Sequence, residues 1–281
     1  MDIINNPEEM QNHAIRWKRK CKRVGLVPTM GYLHQGHLAL MQEARKNCDL
    51  VIVSIFVNPM QFGQGEDYEV YPRDLAKDAQ LAESVGVDVI FAPSTADMYP
   101  KNYHTFVDIE LLTDHLCGLS RPGHFKGVAT VVTKLFNITQ PDIAYFGQKD
   151  AQQVIVIKRM VADLNMPVDV VCVPTVREED GLAMSSRNVY LNEEERQQAP
   201  VLYRSLKEAQ ALVEQGERNA LIIKNRIKEI ISQASLACID YVEIVDEITV
   251  QPVDKLEGKI LIALAVRFGQ TRLIDNILLE V

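Results

Sequence analysis

A chain of 281 residues is long for one compact domain and natural for two, since domains cluster near about 100 to 150 residues. Hydrophobic residues make up 47% and charged residues 24%, with a mean hydropathy of -0.06, which groups the chain with packed globular proteins rather than disordered or membrane-spanning ones. The net charge of -8 and a pI near 5.3 disfavour a nucleic-acid partner, because neutralising phosphates takes clustered positive charge.

The acidic opening "MDIINNPEEM" lacks the basic-then-apolar layout of a signal peptide, and no apolar run approaches the roughly 18 to 20 residues of a spanning helix. A soluble, cytoplasmic protein without membrane contact is the expectation. Next comes a helical pattern ending in "RWKRKCKR" (16–23), where cations suit the negative end of the helix dipole; a nucleic-acid contact is the alternative. Five short, β-branched, apolar runs follow: "VGLVP" (24–28), "LVIVSIFV" (50–57), "VDVIFAP" (87–93), "IAYFG" (143–147) and "VDVVCVP" (168–174). Such runs fit strands buried on both faces. Helical stretches at 36–48, 73–86, 127–140 and 150–165 separate them. Alternation of this kind predicts an α/β fold, a doubly wound, parallel, Rossmann-like sheet, over residues 1–174.

After Pro174 the pattern changes to a polar loop, two helical stretches (193–216 and 218–235) and three strand-like runs without intervening helices (240–248, 259–269 and 271–281). That order predicts a second, smaller α+β domain with an antiparallel sheet over residues 175–281, closing over a shared active site. The five cysteines (Cys21, Cys48, Cys117, Cys172, Cys238) form no CxxC pair and are expected to be reduced and mostly buried.

The candidate chemistry begins at "MGYLHQGH" (30–37), the loop at the carboxyl end of the first long strand. Ligands bind in that crevice of an open α/β sheet. Gly31 and Gly36 let backbone approach a ligand, and a helix N-terminus behind them offers N–H groups to an anion, so a phosphate is expected. His34 and His37 would stabilise the charge that builds when phosphorus is attacked. A structural histidine pair, or two metal ligands, are the other readings; a third ligand at metal-like spacing is missing, and no metal site is expected from the residues. Asn58 and Gln61 follow the second long strand at the same sheet edge, and uncharged amides suit a substrate bearing hydroxyls. For Asn58, capping the loop before Pro59 is an equal alternative. "GQKD" (147–150) ends a strand and opens a helix, so Lys149 can approach phosphate or ribose while Asp150 caps the helix or holds a ribose hydroxyl; Gln153 faces the same side one turn on. "MSSR" (184–187) offers two hydroxyls and a guanidinium able to wrap β- and γ-phosphates and to close over a nucleotide from a hinge. Tyr71, Arg73, Arg121 and His124 either line the pocket from behind or shape turns.

"HQGH" resembles the HxGH signature of nucleotidyltransferases and class I aminoacyl-tRNA synthetases. Four further blocks, "VSIFVNPMQFGQGEDYEVYPRDLAKD" (53–78), "RPGHFKGVATVV" (121–132), "AYFGQKDAQQ" (144–153) and "REEDGLAMSSRNVYL" (177–191), resemble the pantothenate synthetase (pantoate–β-alanine ligase) family, in order and over nearly the whole chain. The resemblance implies an AMP-forming ligase in pantothenate biosynthesis that joins (R)-pantoate to β-alanine through a pantoyl adenylate. It implies ATP as co-substrate with Mg²⁺, and a homodimer. It assigns nucleotide binding to Met30, Gly31, Tyr32, Leu33, His34, Gln35, Gly36, His37, Gly147, Gln148, Lys149, Asp150, Val176, Met184, Ser185, Ser186 and Arg187, with His34, His37, Lys149 and Arg187 closest to the chemistry. Gln61 and Gln153, with Asn58, would take pantoate. A nucleotidyltransferase that keeps its nucleotide in the product, or a non-catalytic nucleotide-binding regulator, are the rival readings.

Overall fold

The computed structural model describes residues 1–281. Nine strands and ten helices follow one another as β1 (Asp2–Ile4), α1 (Pro7–Arg19), β2 (Val24–Thr29), α2 (Gln35–Asn47), β3 (Leu50–Ile55), α3 (Leu75–Ser84), β4 (Val89–Phe91), α4 (Thr95–Met98), α5 (Cys117–Ser120), α6 (His124–Thr139), β5 (Ile143–Gly147), α7 (Ala151–Asp163), β6 (Asp169–Val173), α8 (Glu193–Gln198), α9 (Val201–Glu214), α10 (Ala220–Ile231), β7 (Ala237–Asp246), β8 (Lys259–Phe268) and β9 (Thr271–Glu280). Short 3-10 turns occupy Pro59–Gln61, Gln148–Asp150 and Ser186–Tyr190.

Contacts divide the chain into two units. The first comprises residues 1–109, 121–147 and 156–174, and the second residues 110–120, 148–155 and 175–281. The last break falls between Pro174 and Thr175, and two earlier segments group with the C-terminal residues.

In the first unit six parallel strands run in the order β1-β4-β3-β2-β5-β6. The order reverses direction between β2 and β5, which opens a crevice at their carboxyl ends. Pairing of β2 with β5 covers only Gly25–Ile143 and Leu26–Ala144, so Pro28, with no N–H to donate, lies past that ladder. Val27, Val51, Val53, Ile90 and Tyr145 of the sheet pack with Leu38, Met41 and Ala44 of α2 as one buried core. Gly25 lets α2 lie close, since a Cβ there would come within 2.8 Å of Cys48 Sγ. The three-residue edge strand β1 has no counterpart in the sequence reading; "DII" is too short for an alternation to register.

The second unit carries the antiparallel sheet β7-β8-β9. Its buried core joins Leu202, Leu206, Ile223 and Ile227 of α9 and α10 to Ile244, Ile262, Leu264 and Val266 of the sheet. The helix expected at 193–216 is two helices, because Pro200 cannot continue the first and instead precedes α9. The cysteines are all free, but only Cys48 and Cys117 are buried; Cys172 is intermediate and Cys21 and Cys238 are exposed. Their expected burial was too general, since Cys21 lies within the basic segment and Cys238 faces outward on β7.

Candidate functional site

The loop from β2 to α2 is built around its own histidines. The Nδ1 of His34 accepts the N–H of Gly36 at 3.1 Å, and the Nδ1 of His37 accepts the N–H of His34 at 3.3 Å, a reciprocal cap on α2. The rings lie 4.0 Å apart, centroid to centroid. Capping thus uses the Nδ1 of each ring, as the structural reading of the pair has it.

Gly31 (φ 83°) and Tyr32 (φ 51°) both take left-handed backbone, a strained choice for tyrosine. Asp78 of α3 holds the turn by accepting the N–H of Tyr32 at 2.8 Å and of Leu33 at 2.7 Å. Its side chain is buried, and burial pushes its carboxyl up while those two N–H donors oppose the shift. A Cβ on Gly31 would sit 2.9 Å from Ile55 Cγ2 and 3.0 Å from Asp78 Oδ2. Asp78 escaped the sequence reading because its partners lie 45 and 46 residues away. A lone acid on an amphipathic helix gives no local sign of such a role.

The turn after β3 brings Gln61 to the same loop. Its Nε2 reaches Met30 Sδ at 3.1 Å and its Oε1 accepts from Asn58 Nδ2 at 3.1 Å. Asn58 itself is 1% exposed and spends its whole amide on protein: Nδ2 also donates to Gly127 O, and Oδ1 accepts from Tyr99 Oη and the Met60 N–H. The amide is thus fully engaged by protein groups, and it caps the turn that begins at Pro59, as the capping alternative has it. Gly127 makes this packing feasible, as a Cβ there would run into the Met60 carbonyl.

Arg121 and His124 grip the same turn from the start of α6. His124 Nδ1 donates to the Gln61 carbonyl at 2.8 Å, Arg121 Nη2 reaches that carbonyl at 3.2 Å, and Arg121 Nη1 donates to His124 Nε2 at 3.1 Å. Arg121 also forks onto Glu66 at 2.6 and 2.7 Å. Burial raises the Glu66 carboxyl, but the Arg121 hydrogen bond and charge outweigh it and bring it down to about 2. Arg73, by contrast, braces the 68–71 backbone by donating to the carbonyls of Tyr68 and Tyr71. A cavity of about 260 Å³ beside this loop is lined by Met30, Gly31, Ile55, Tyr68 and Arg73 among others.

Of the remaining candidates Gly147 ends β5 in the first unit, and the others lie in the second. Lys149 Nζ stands 4.0 Å from Asp150 Oδ2, with the lysine side chain 19% exposed. Gln153 is half-buried on α7, while its neighbour Gln152 is buried and binds Cys117 N–H and the carbonyls of Leu112 and His115. Gln152, overlooked in the sequence, ties segment 110–120 to α7. The segment before "MSSR" is a small hairpin, with Met184 N–H on Val176 O at 3.0 Å, a bridge between Arg177 and Ala183, and Glu178 N–H on Leu182 O. Ser185 caps the following turn by accepting the Arg187 N–H at 3.2 Å. Ser186 is buried, and Arg187 half-buried. Arg196 braces the hairpin through Glu178 and Asp180, each at 2.6 Å.

A glycine-bearing loop capped by its own histidines, at the carboxyl end of β2 beside the strand-order reversal, occupies the place where open α/β sheets bind their ligands. The chain belongs to the pantoate–β-alanine ligase family, whose model, described as Pantoate-beta-alanine ligase, matches residues 2–278. It is 62% identical over 281 residues to a pantothenate synthetase of Heliobacterium modesticaldum, covering 100% of both chains. A pantothenate synthetase of Pelotomaculum thermopropionicum is 58% identical over 99% of both. Among solved structures, pantothenate synthetase from Thermus thermophilus superposes with a TM-score of 0.94 at 47% identity, covering 99% of each chain. Pantoate-beta-alanine ligase from Francisella tularensis, complexed with β-γ ATP and β-alanine, gives 0.81 at 36% identity over 99% of this chain and 97% of that one. No helix here is long and apolar enough to cross a membrane.

Proposed function

We propose that this chain condenses (R)-pantoate with β-alanine, converting ATP to AMP and pyrophosphate through a pantoyl adenylate. A carboxylate does not react with an amine near neutral pH, so it must first become an electrophile. The pantoate carboxylate attacks the α-phosphorus and pyrophosphate leaves; the amine of β-alanine then attacks the pantoyl carbonyl and AMP departs. Neither step needs a protein nucleophile, so the protein supplies positioning and charge stabilisation.

The observation that carries this reading is the Gln61 amide on Met30, which joins an amide suited to pantoate to the loop suited to phosphate. In this reading His34 and His37 donate Nε2–H to ATP phosphates, and the loop Met30–His37 cradles the nucleotide. Gly147–Asp150, Val176 and Met184–Arg187 hold the rest of ATP, with Lys149 and Arg187 against phosphate charge. Gln61 and Gln153 bind pantoate. Mg²⁺ enters as part of the substrate, MgATP, because the triphosphate charge must be neutralised. A homodimer in the cytoplasm is the setting the family supports.

The test is mass spectrometry of products after incubation with ATP, Mg²⁺, pantoate and β-alanine. Pantothenate, AMP and pyrophosphate in equal amounts are expected. A product that retains the nucleotide would instead indicate a nucleotidyltransferase, and binding without turnover would indicate a regulator.

A further inference from the structure

Two consecutive residues of β9, Asp275 and Asn276, are 2% and 4% exposed and project from opposite faces of the strand. Neither belongs to the nucleotide blocks, yet each holds one of them. Asn276 gives both hydrogens of its amide to the 3-10 turn that opens α7, one to Gln148 O at 2.9 Å and one to Lys149 O at 3.0 Å. A single amide bridging two successive carbonyls fixes the orientation of that turn. Lys149 belongs to that turn, and Gln153 to the first turn of the helix that it opens.

Asp275 holds the other block. Its carboxylate forks onto Arg177, Oδ2 to Nη1 at 2.7 Å and Oδ1 to Nη2 at 2.9 Å, the strong bidentate geometry of guanidinium and carboxylate. Arg177 Nη1 also reaches Gly181 O at 3.0 Å, and its guanidinium stacks 3.7 Å over the Tyr203 ring. Arg177 is the residue after Val176 and bridges Ala183, which precedes Met184. The carboxylate therefore sets the base of the hairpin that presents Met184–Arg187. The Asn276 N–H donates to Asp275 Oδ1 at 2.8 Å, so the two side chains are also linked through their shared backbone.

We infer that Asp275 and Asn276 form a positioning pair for ATP, holding the 148–150 turn and the 176–187 hairpin in fixed relation by way of one strand. They act through Lys149, Val176 and Met184–Arg187 rather than on the nucleotide itself. This rests on the reading of those blocks as ATP-binding.

The test compares Asn276→Ala, Asn276→Ser and Asp275→Asn with Lys149→Ala, each as the full-length enzyme. Asn276→Ala loses both bonds, Asn276→Ser can keep one, and Asp275→Asn loses the charge and one acceptor. The Kd for ATP is measured by titration calorimetry without pantoate, the KM for pantoate at saturating ATP, and the rate of β-alanine attack on preformed pantoyl adenylate in a single turnover. Expected is a rise in ATP Kd of about 5- to 30-fold for Asn276→Ala, a smaller one for Asn276→Ser, and a comparable rise for Asp275→Asn, with β-alanine attack within about twofold. If Asn276→Ala does not fold, Asn276→Ser and Asp275→Asn carry the same comparison. Unchanged ATP Kd in these variants, with Lys149→Ala impaired, overturns the pairing. Equal damage to ATP binding and to β-alanine attack overturns it too, since that is the pattern of a general loss of fold. If Lys149→Ala also leaves ATP binding unchanged, the assignment of the block to ATP fails, and the pairing falls with it for that distinguishable reason.

Discussion

At His37 the proposal gives one ring two jobs: Nδ1 caps the helix, and Nε2–H is the group assigned to phosphate. Replacing it with alanine removes both, so the informative variant is His37→Gln, because glutamine at this position of a helix can keep the reciprocal cap while lacking the imidazole. Adenylate formation is expected to fall about 10²-fold in kcat for both variants, with the melting temperature better kept in the glutamine variant. Stopped-flow pyrophosphate release and thermal unfolding measure the two quantities; an unimpaired His37→Gln would return the pair to a purely structural role. Gln61→Ala separates the substrate from the nucleotide. Losing an amide partner in a partly dry pocket costs about 1 to 3 kcal/mol, or about 5- to 150-fold in pantoate KM, while ATP binding without pantoate holds. Steady-state kinetics in pantoate checks it, and loss confined to ATP would remove Gln61 from the substrate pocket. Both residues were legible in the sequence because their motifs are contiguous. Asn58 was legible only by half, since its saturation by Gly127 and Tyr99, 69 and 41 residues away, is a tertiary fact.

Elements explain why those side chains stay in place. The β2–α2 loop takes two left-handed residues in succession, and Asp78 of α3 offsets that strain with two N–H bonds. The turn after β3 is held from α6 by Arg121 and His124, and Arg121 in turn anchors Glu66. That ion pair gives a pH prediction. The Glu66 carboxyl is lowered in the fold from an ordinary 4.5 to about 2, so its stabilising contribution is complete above about pH 4.5 and is lost as pH falls toward 2. Hydrogen exchange of residues 62–70 should therefore quicken, relative to the β3 core, as pH falls from about 4.5 toward 2, once the intrinsic exchange rate is divided out. In Glu66→Gln that step should be absent, and a step of the same size in the variant would assign it elsewhere. The long helices and buried strands were legible from periodicity, with ends that match or differ by up to four residues. The edge strand β1 and the break at Pro200 were not. Three residues carry no period, and the wholly polar EEERQQ before the proline has no apolar face whose end could be seen.

For the whole molecule, strand-helix alternation in the sequence stops at Pro174, whereas nothing in the sequence marks the grouping of 110–120 and 148–155 with the second unit. Those segments join it through Gln152 with Cys117, and through Asn276 with Gln148 and Lys149, pairs 35 to 128 residues apart that leave no local pattern. The consequence is that Lys149, at the end of a strand of the first unit by sequence, groups with the Met184–Arg187 hairpin. The two halves of the reaction make different demands on that unit. Triphosphate charge exists only until pyrophosphate leaves, so groups that clamp phosphate matter to adenylate formation and fall idle afterwards. Arg187→Ala is therefore expected to raise the ATP KM by about tenfold, in line with the loss of one charge-assisted contact of about 1.5 kcal/mol. Attack of β-alanine on preformed pantoyl adenylate should stay within about twofold. Rapid-quench measurement of each half-reaction, with the adenylate supplied directly for the second, makes the comparison. Equal damage to both halves would mean that Arg187 shapes the pocket as a whole, because the half that lacks pyrophosphate has no phosphate clamp to lose.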